Sequence, residues 1–406
     1  MRLLYREFFD KSFINSIENE CIRLKKRITK TFGNWGFSLV KKDTDLVNYF
    51  ESQKGKWNRF VQIGMGGSVL GAQALCEFLS VPKGKSIEFV DDIGSSCVSS
   101  LNYSPNTCYH VVSKSGSTVE TIANLIYLIN HFKGNPDKQI IISTGSSGFL
   151  KEYADNHNIK RFLIPDNVGG RYSLFTPVGM AAASFLEYDI DKIFAGMNRA
   201  LENLISDTPA SPYLLAVITS EFLRKNRRNL VLFCYSERLL KTVYWFRQLW
   251  AESLGKLIDR DGNQVRTGQT PIVAQGTSDQ HSQIQLYREG PLDKLFCFFR
   301  GPADHDEKLH AGPDFDRFSY LSGHSLNEIK YAEYSATKDS LAEHSPVISI
   351  ETDSCSEQSF GLLIMNLMLA TAITGELLNI DAFNQPGVEL GKQLTKSILT
   401  KNEIRL

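Results

Sequence analysis

Glu252 lies in QLWAESLGK (248–256), among Leu249, Trp250 and Leu254. A carboxylate in such company is either a solvated residue at the edge of an amphipathic helix or a base made more basic by partial desolvation. From this segment alone the first reading fits better. Other reactive residues fall in turns. IGMGGSVLG (63–71) places Gly66, Gly67 and Ser68 where a strand gives way to a helix. Backbone N–H groups exposed there favour an anion, although a simple tight turn accounts for the glycines equally well. SKSGSTVET (113–121) offers Ser113, Ser115, Ser117 and Thr118, with Lys114 as a point charge and Gly116 for close approach. Capping a helix needs one hydroxyl. Four hydroxyls and a lysine suit a phosphate monoester, and a second anion-friendly turn nearby strengthens that reading.

In GGRYSLFTPVG (169–179), Arg171 follows two glycines. It is either a surface arginine beside a turn or a guanidinium aimed at charge that develops during a reaction. GTSDQHSQIQL (276–286) puts His281 at a strand-to-helix junction, and NQPGVELGKQL (384–394) carries Gln385 and Lys392. A lysine in such a helix is ordinarily solvated. His305 and His310, in DHDEKLH, are not one helical turn apart and have no third histidine or cysteine beside them, so no metal is expected. A dinucleotide fingerprint would need glycine where Val69 stands, although Asp91 and Asp92 follow the next strand, and no Walker lysine is present. No cofactor is expected.

The elements that must position these residues are legible as an alternation. Strand-length apolar runs occur at 58–63, 86–90, 108–113, 138–143 and 160–164, separated by helical patterns, clearest at 117–132 and 147–157. Three helical stretches follow from Thr176 to Arg227. Strands then return at 229–236, 271–276, 294–300 and 346–351, with a helix over Arg238–Leu254. Strand, helix, strand at this spacing predicts parallel sheets covered on both faces, with ligands beyond the carboxyl ends of the strands. The expected organisation is a helical segment at 1–56, a first α/β domain at 57–185, a second at 186–380 with the linking helices, and a tail at 381–406.

The 406 residues allow two domains of ordinary size. Forty-five basic and forty-five acidic residues cancel, which gives no reason to expect nucleic acid or an anionic membrane as partner. Seven scattered cysteines without a CxxC pair suit reduced thiols in a cytoplasmic protein. The N-terminus MRLLYREFFDKSF is interrupted by charges too early for a signal peptide. LLIMNLMLATAITGELL (362–378) is broken by Asn366, Gly375 and Glu376, so a buried core helix is expected rather than a membrane span.

Taken together, IGMGGSVLG, SKSGSTVET, GGRYSLFTPVG, QLWAESLGK, GTSDQHSQ and NQPGVELGK resemble, in order, the motif set of the phosphoglucose isomerase family, from about residue 60 to 394. The resemblance implies two sugar-isomerase (SIS) domains, each a five-stranded parallel sheet between helices, and reversible conversion of glucose 6-phosphate and fructose 6-phosphate through a cis-enediolate. By matching position, it implies that Gly67, Ser68, Ser113, Lys114, Ser115 and Thr118 hold the sugar phosphate and that Gln248 and Gln385 hydrogen-bond the substrate. Glu252 would be the base, Arg171 the stabiliser of the intermediate, and His281 and Lys392 the ring-opening pair. The family pattern further implies a homodimer in which the histidine comes from the partner subunit, and a place in glycolysis and gluconeogenesis. The chain departs from the pattern at Leu254, where many members have Asn, at Asp279–Gln280, and at Pro386, where others have Trp. An isomerase that also accepts mannose 6-phosphate would share all these residues. A non-catalytic sugar-phosphate sensor would need the phosphate turns but not Glu252, Arg171, His281 and Lys392 together.

Overall fold

In the computed structural model the described residues are 1–401 apart from 95–98, 134, 136–137, 207–208 and 303–305. The chain opens with a short strand, β1 (Arg2–Leu4), and two helices, α1 (Lys11–Ile28) and α2 (Thr44–Ser52). Then come β2 (Arg59–Ile63), α3 (Leu70–Leu79), β3 (Ser86–Val90), β4 (Thr107–Ser113) and α4 (Val119–His131). They are followed by β5 (Ile140–Thr144), α5 (Phe149–Asn156) and β6 (Lys160–Leu163). Three helices, α6 (Pro177–Phe185), α7 (Ile190–Ser206) and α8 (Ser211–Arg224), lead to β7 (Asn229–Cys234) and α9 (Glu237–Leu254). A hairpin of β8 (Lys256–Ile258) and β9 (Gln264–Thr267) precedes β10 (Thr270–Gln275), α10 (Gln280–Glu289) and β11 (Lys294–Arg300). The chain closes with α11 (Leu326–Ala342), β12 (Val347–Glu351), α12 (Glu357–Leu377) and α13 (Glu389–Lys401).

The first sheet has the order β3-β2-β4-β5-β6, and every pair is parallel. The second has the order β10-β7-β11-β12-β1, parallel except where β1 closes the edge antiparallel to β12. Its fifth strand therefore comes from the N-terminus, in a segment read from sequence as helical. Three residues are too few to show an alternation, and Leu3 is buried by tertiary pairing alone. The other strands of both sheets start and end within two residues of the expected runs.

Strands covered on both faces are buried along their length and mostly apolar. All seven residues of β4 and all five of β5 are buried. Gln62 is the fully buried polar residue of β2; its amide donates to the carbonyls of Ser68 (2.7 Å) and Val178 (2.9 Å), fixing the turn above the sheet. The apolar run near the C-terminus forms α12, packed against α7 and α8. It is long and apolar enough to cross a membrane, but 83% of its most apolar stretch is buried inside the fold. Cys21, Cys76, Cys108, Cys234 and Cys297 are buried without disulfides, while Cys97 lies outside the described residues.

Candidate active site

Helix α9 joins the two halves. It starts beyond β7 in the second sheet, packs on α3 of the first half and ends at Gly255. Trp245, Phe246, Leu249, Trp250 and Leu254 are buried, which fixes the helix about its axis and turns Gln248 and Glu252, one turn apart, to its half-exposed side. Gln248 donates from Nε2 to Glu252 Oε1 at 3.0 Å.

The turn after β2 closes against this helix. A side chain at Gly66, where φ is +51°, would come within 2.6 Å of Gln248 Nε2, and one at Gly67 within 2.5 Å of the Gly170 carbonyl. Glycine is required here for close packing on the Gln248 and Arg171 segments, and that packing leaves both readings of the motif open. Next to it, the turn after β4 gathers its hydroxyls: Ser113 Oγ lies 2.8 Å from Thr118 Oγ1 and 3.3 Å from Ser115 Oγ. Ser113 is buried, whereas Ser115 is exposed at the opening of α4. Lys114 donates to the Asp166 carbonyl at 2.8 Å, and burial lowers its pKa.

Arg171 is not a surface residue; its side chain is 1% exposed. Nε donates to Ser253 Oγ at 2.7 Å, Nη1 to Gln385 Oε1 at 2.7 Å, and Nη2 to the carbonyls of Ala382 (2.7 Å) and Asn384 (3.0 Å). One guanidinium thus ties the end of α9 to the start of the tail. Nη1 also stands 3.7 Å from Glu252 Oε2. Glu252 retains 32% side-chain exposure.

Three supporting residues escaped the sequence reading. Ser253 accepts from Arg171 and lies 3.1 Å from the Tyr172 hydroxyl, and Lys256 donates to the carbonyls of Glu252 (2.7 Å) and Ser253 (2.9 Å). Burial, then the positive charge of Arg171, lowers the Lys256 amino group to about 8. Its position one turn beyond Glu252 was the available signal, since a lysine there can cap the last carbonyls of the helix.

This chain alone does not join His281 and Lys392 to the cluster. His281 is exposed on α10, and no hydrogen bond or ion pair among the described residues connects its ring to Glu252 or Arg171. Lys392 pairs with Glu389 at 2.7 Å, both 60% exposed, on a helix without a buried residue. His310 is exposed and His305 lies outside the described residues; among the described residues no group of histidine, cysteine and carboxylate side chains could hold a metal ion.

The family model described as phosphoglucose isomerase matches residues 48–405. The chain belongs to the phosphoglucose isomerase family. Relatives of similar length include a probable glucose-6-phosphate isomerase of Haloarcula marismortui, 35% identical over 90% of this chain and 85% of its own length. A glucose-6-phosphate isomerase of Thermus thermophilus is 37% identical over 84% of this chain and 83% of its own. Among solved structures, a hypothetical protein from Thermus thermophilus superposes with a TM-score of 0.86, at 33% identity over 98% of this chain and 99% of that one. A glucose-6-phosphate isomerase from Chlamydia trachomatis shares the fold with a TM-score of 0.76, at 24% identity over 89% and 73% of the two chains. In phosphoglucose isomerase terms, the parallel sheets flanked by helices are the SIS architecture.

Proposed function

We infer that this chain is a glucose-6-phosphate isomerase, interconverting glucose 6-phosphate and fructose 6-phosphate. The observation that carries the reading is the Glu252 carboxylate, half-exposed between Gln248 and the buried guanidinium of Arg171, beside two anion-friendly turns. The relatives' names support it. In our reading the turn hydroxyls of Ser113, Ser115 and Thr118, with Lys114 and the backbone at Gly67 and Ser68, hold the phosphate. Binding energy from that remote group then orients the reacting carbons. Glu252 takes a proton from one carbon and returns it to the next. The enediolate between those steps is negative, and Arg171 is already fixed by its other hydrogen bonds to face it. Gln248 and Gln385 flank the same space and bind sugar hydroxyls.

Ring opening asks for an acid–base group near neutrality, assigned here to His281 with Lys392. Among the described residues neither makes a hydrogen bond or ion pair to the cluster, and α13 exposes Leu390, Leu394 and Ile398 at one-turn spacing. We therefore assign the complete site to a homodimer in which His281 serves the partner. We also take 57–185 and 186–380 as the two SIS units, and the cytoplasm, where free sugar phosphates occur, as the compartment.

Running the reaction on fructose 6-phosphate in deuterated water tests the proton-transfer chemistry. Deuterium should enter carbon 2 of the glucose 6-phosphate formed. Because a proton returned before it exchanges also leaves no label, turnover without label together with full activity in Glu252→Gln would mean a direct hydride shift and would remove the need for Glu252.

A further inference from the structure

The two sheets share a strand order, and this creates a second crevice that the reaction above does not use. β7 holds the place in its sheet that β2 holds in the first, and β11 the place of β4. In sheets of this kind ligands bind beyond the carboxyl ends of the strands where the order reverses. In the first sheet that position is flanked by the glycine turn and the serine turn. In the second it is flanked by Tyr235 and Ser236 after β7 and by Gly301 after β11, and a cleft of about 110 Å³ opens there.

Its lining carries two cations, with the carboxylate of Glu237 at the same cleft. Arg300 lies 4.3 Å from the centroid of the Tyr331 ring, and Lys330 stands on the same wall. Ser236 is the N-cap residue of the eighteen-residue α9, yet its side chain makes no capping hydrogen bond. The hydroxyl faces the β11 turn, where a side chain at position 301 would come within 2.6 Å of it. Tyr235 is 5% exposed, and its hydroxyl is buried without a partner of normal hydrogen-bond geometry among the described residues, Thr337 being its polar neighbour. Two carboxylates balance the cations: Glu237 lies 3.6 Å from Lys330, and Glu351 lies 3.6 Å from Arg300. At those separations the pairs are not hydrogen bonds, and among the described residues neither cation donates one elsewhere. Their N–H groups are therefore available to a ligand oxygen.

A helix N-terminus, a guanidinium, an ammonium and an uncommitted hydroxyl together match a phosphoryl dianion. The volume restricts what else can enter, because drug-sized ligands occupy about 300–1,000 Å³. We propose that the β7–β11 crevice binds a small phosphorylated metabolite, of triose size, at a site separate from Glu252.

The probe is sn-glycerol 3-phosphate, which has no carbonyl to isomerise, titrated by calorimetry into the full chain. Three variants accompany the parent: S113A/T118A, which removes hydroxyls of the first crevice, R300A/K330Q, which removes the cations of the second, and S236A. Two binding events are expected in the parent. One should survive in S113A/T118A and weaken at least tenfold when R300A/K330Q is added. S236A leaves both cations in place and should weaken that event several-fold, so the test stands even if the double variant folds poorly. R300A/K330Q should still isomerise fructose 6-phosphate at the parental rate. A single event abolished by S113A/T118A, or a surviving event indifferent to Arg300, Lys330 and Ser236, would overturn the proposal. The isomerase reading is tested by turnover alone, so the two can fail separately.

Discussion

Arg171 Nη1 stands 3.7 Å from Glu252 Oε2, close enough to feel its charge and too far to hydrogen-bond it. A carboxylate locked in a bidentate arginine clamp would be a poor proton acceptor. Here the guanidinium instead gives its hydrogen bonds to Ser253, Gln385, Ala382 and Asn384, so it is immobilised beside the carboxylate. In the proposed mechanism this leaves Glu252 to move the proton.

Arg171→Ala should lower kcat by about 10²–10³, the usual cost of losing a fixed group that stabilises developing charge. Arg171→Lys should not restore activity, because a point charge cannot reproduce four directed hydrogen bonds. Steady-state rates of the folded variants check this. A variant with parental kcat would remove Arg171 from the chemistry.

Ser113→Ala and Thr118→Ala should act on binding. In the proposed site each hydroxyl would donate to a charged phosphate, an interaction of about 1.5–3 kcal/mol, so KM should rise roughly tenfold or more per substitution. Competition by inorganic phosphate should weaken in parallel. An unchanged KM in the double variant would sink the phosphate assignment.

Gln62 supports the neighbouring turn, the one after β2. In Gln62→Leu the carbonyls of Ser68 and Val178 lose their donor, at a cost of about 1–3 kcal/mol for a buried group left unsatisfied. Thermal melting should show the loss, and KM should rise because the turn carrying Ser68 loses its anchor. Destabilisation with unaltered KM would confine Gln62 to the core.

Lys256 supplies a pH signature. Its amino group is lowered to about 8 by burial and then by Arg171, against about 10.4 in an unfolded chain. Between those values the unfolded chain holds a proton that the folded chain has released, so this group's contribution to stability rises with pH across that window and is level below it. Compared with Lys256→Met, the parent should gain in melting temperature from about pH 8 to about pH 10. Parallel curves would contradict the lowered value.

Much of this architecture is legible in the residues. The apolar runs announce β2–β7 and β10–β12 because strands buried on both faces tolerate few polar side chains. The stripe ending at Leu254 announces α9 and its half-exposed Glu252. β1 was invisible because only its partner β12 makes Arg2–Leu4 a strand. The burial of Arg171 was equally hidden, since its ligands Ala382, Asn384 and Gln385 come from the other end of the chain. Lys256 was passed over in the sequence, because a lysine at a helix end gives no sign of the enclosure that lowers its pKa. For His281 and Lys392, no hydrogen bond or ion pair among the described residues links them to the cluster. The dimer assignment predicts that mixed dimers of Glu252→Gln and His281→Ala chains regain activity through one intact site, although each variant alone is inactive. Mixtures as inactive as their parents would refute the shared site.

The most direct test is the isomerisation of fructose 6-phosphate by the parent and by Glu252→Gln, with glucose 6-phosphate detected through a coupled dehydrogenase and both proteins checked for folding. Robust turnover in the parent and a loss of about 10²–10⁴ or more in the variant is the predicted result. A folded parent that binds sugar phosphate without turning it over, or a variant as active as the parent, would contradict it.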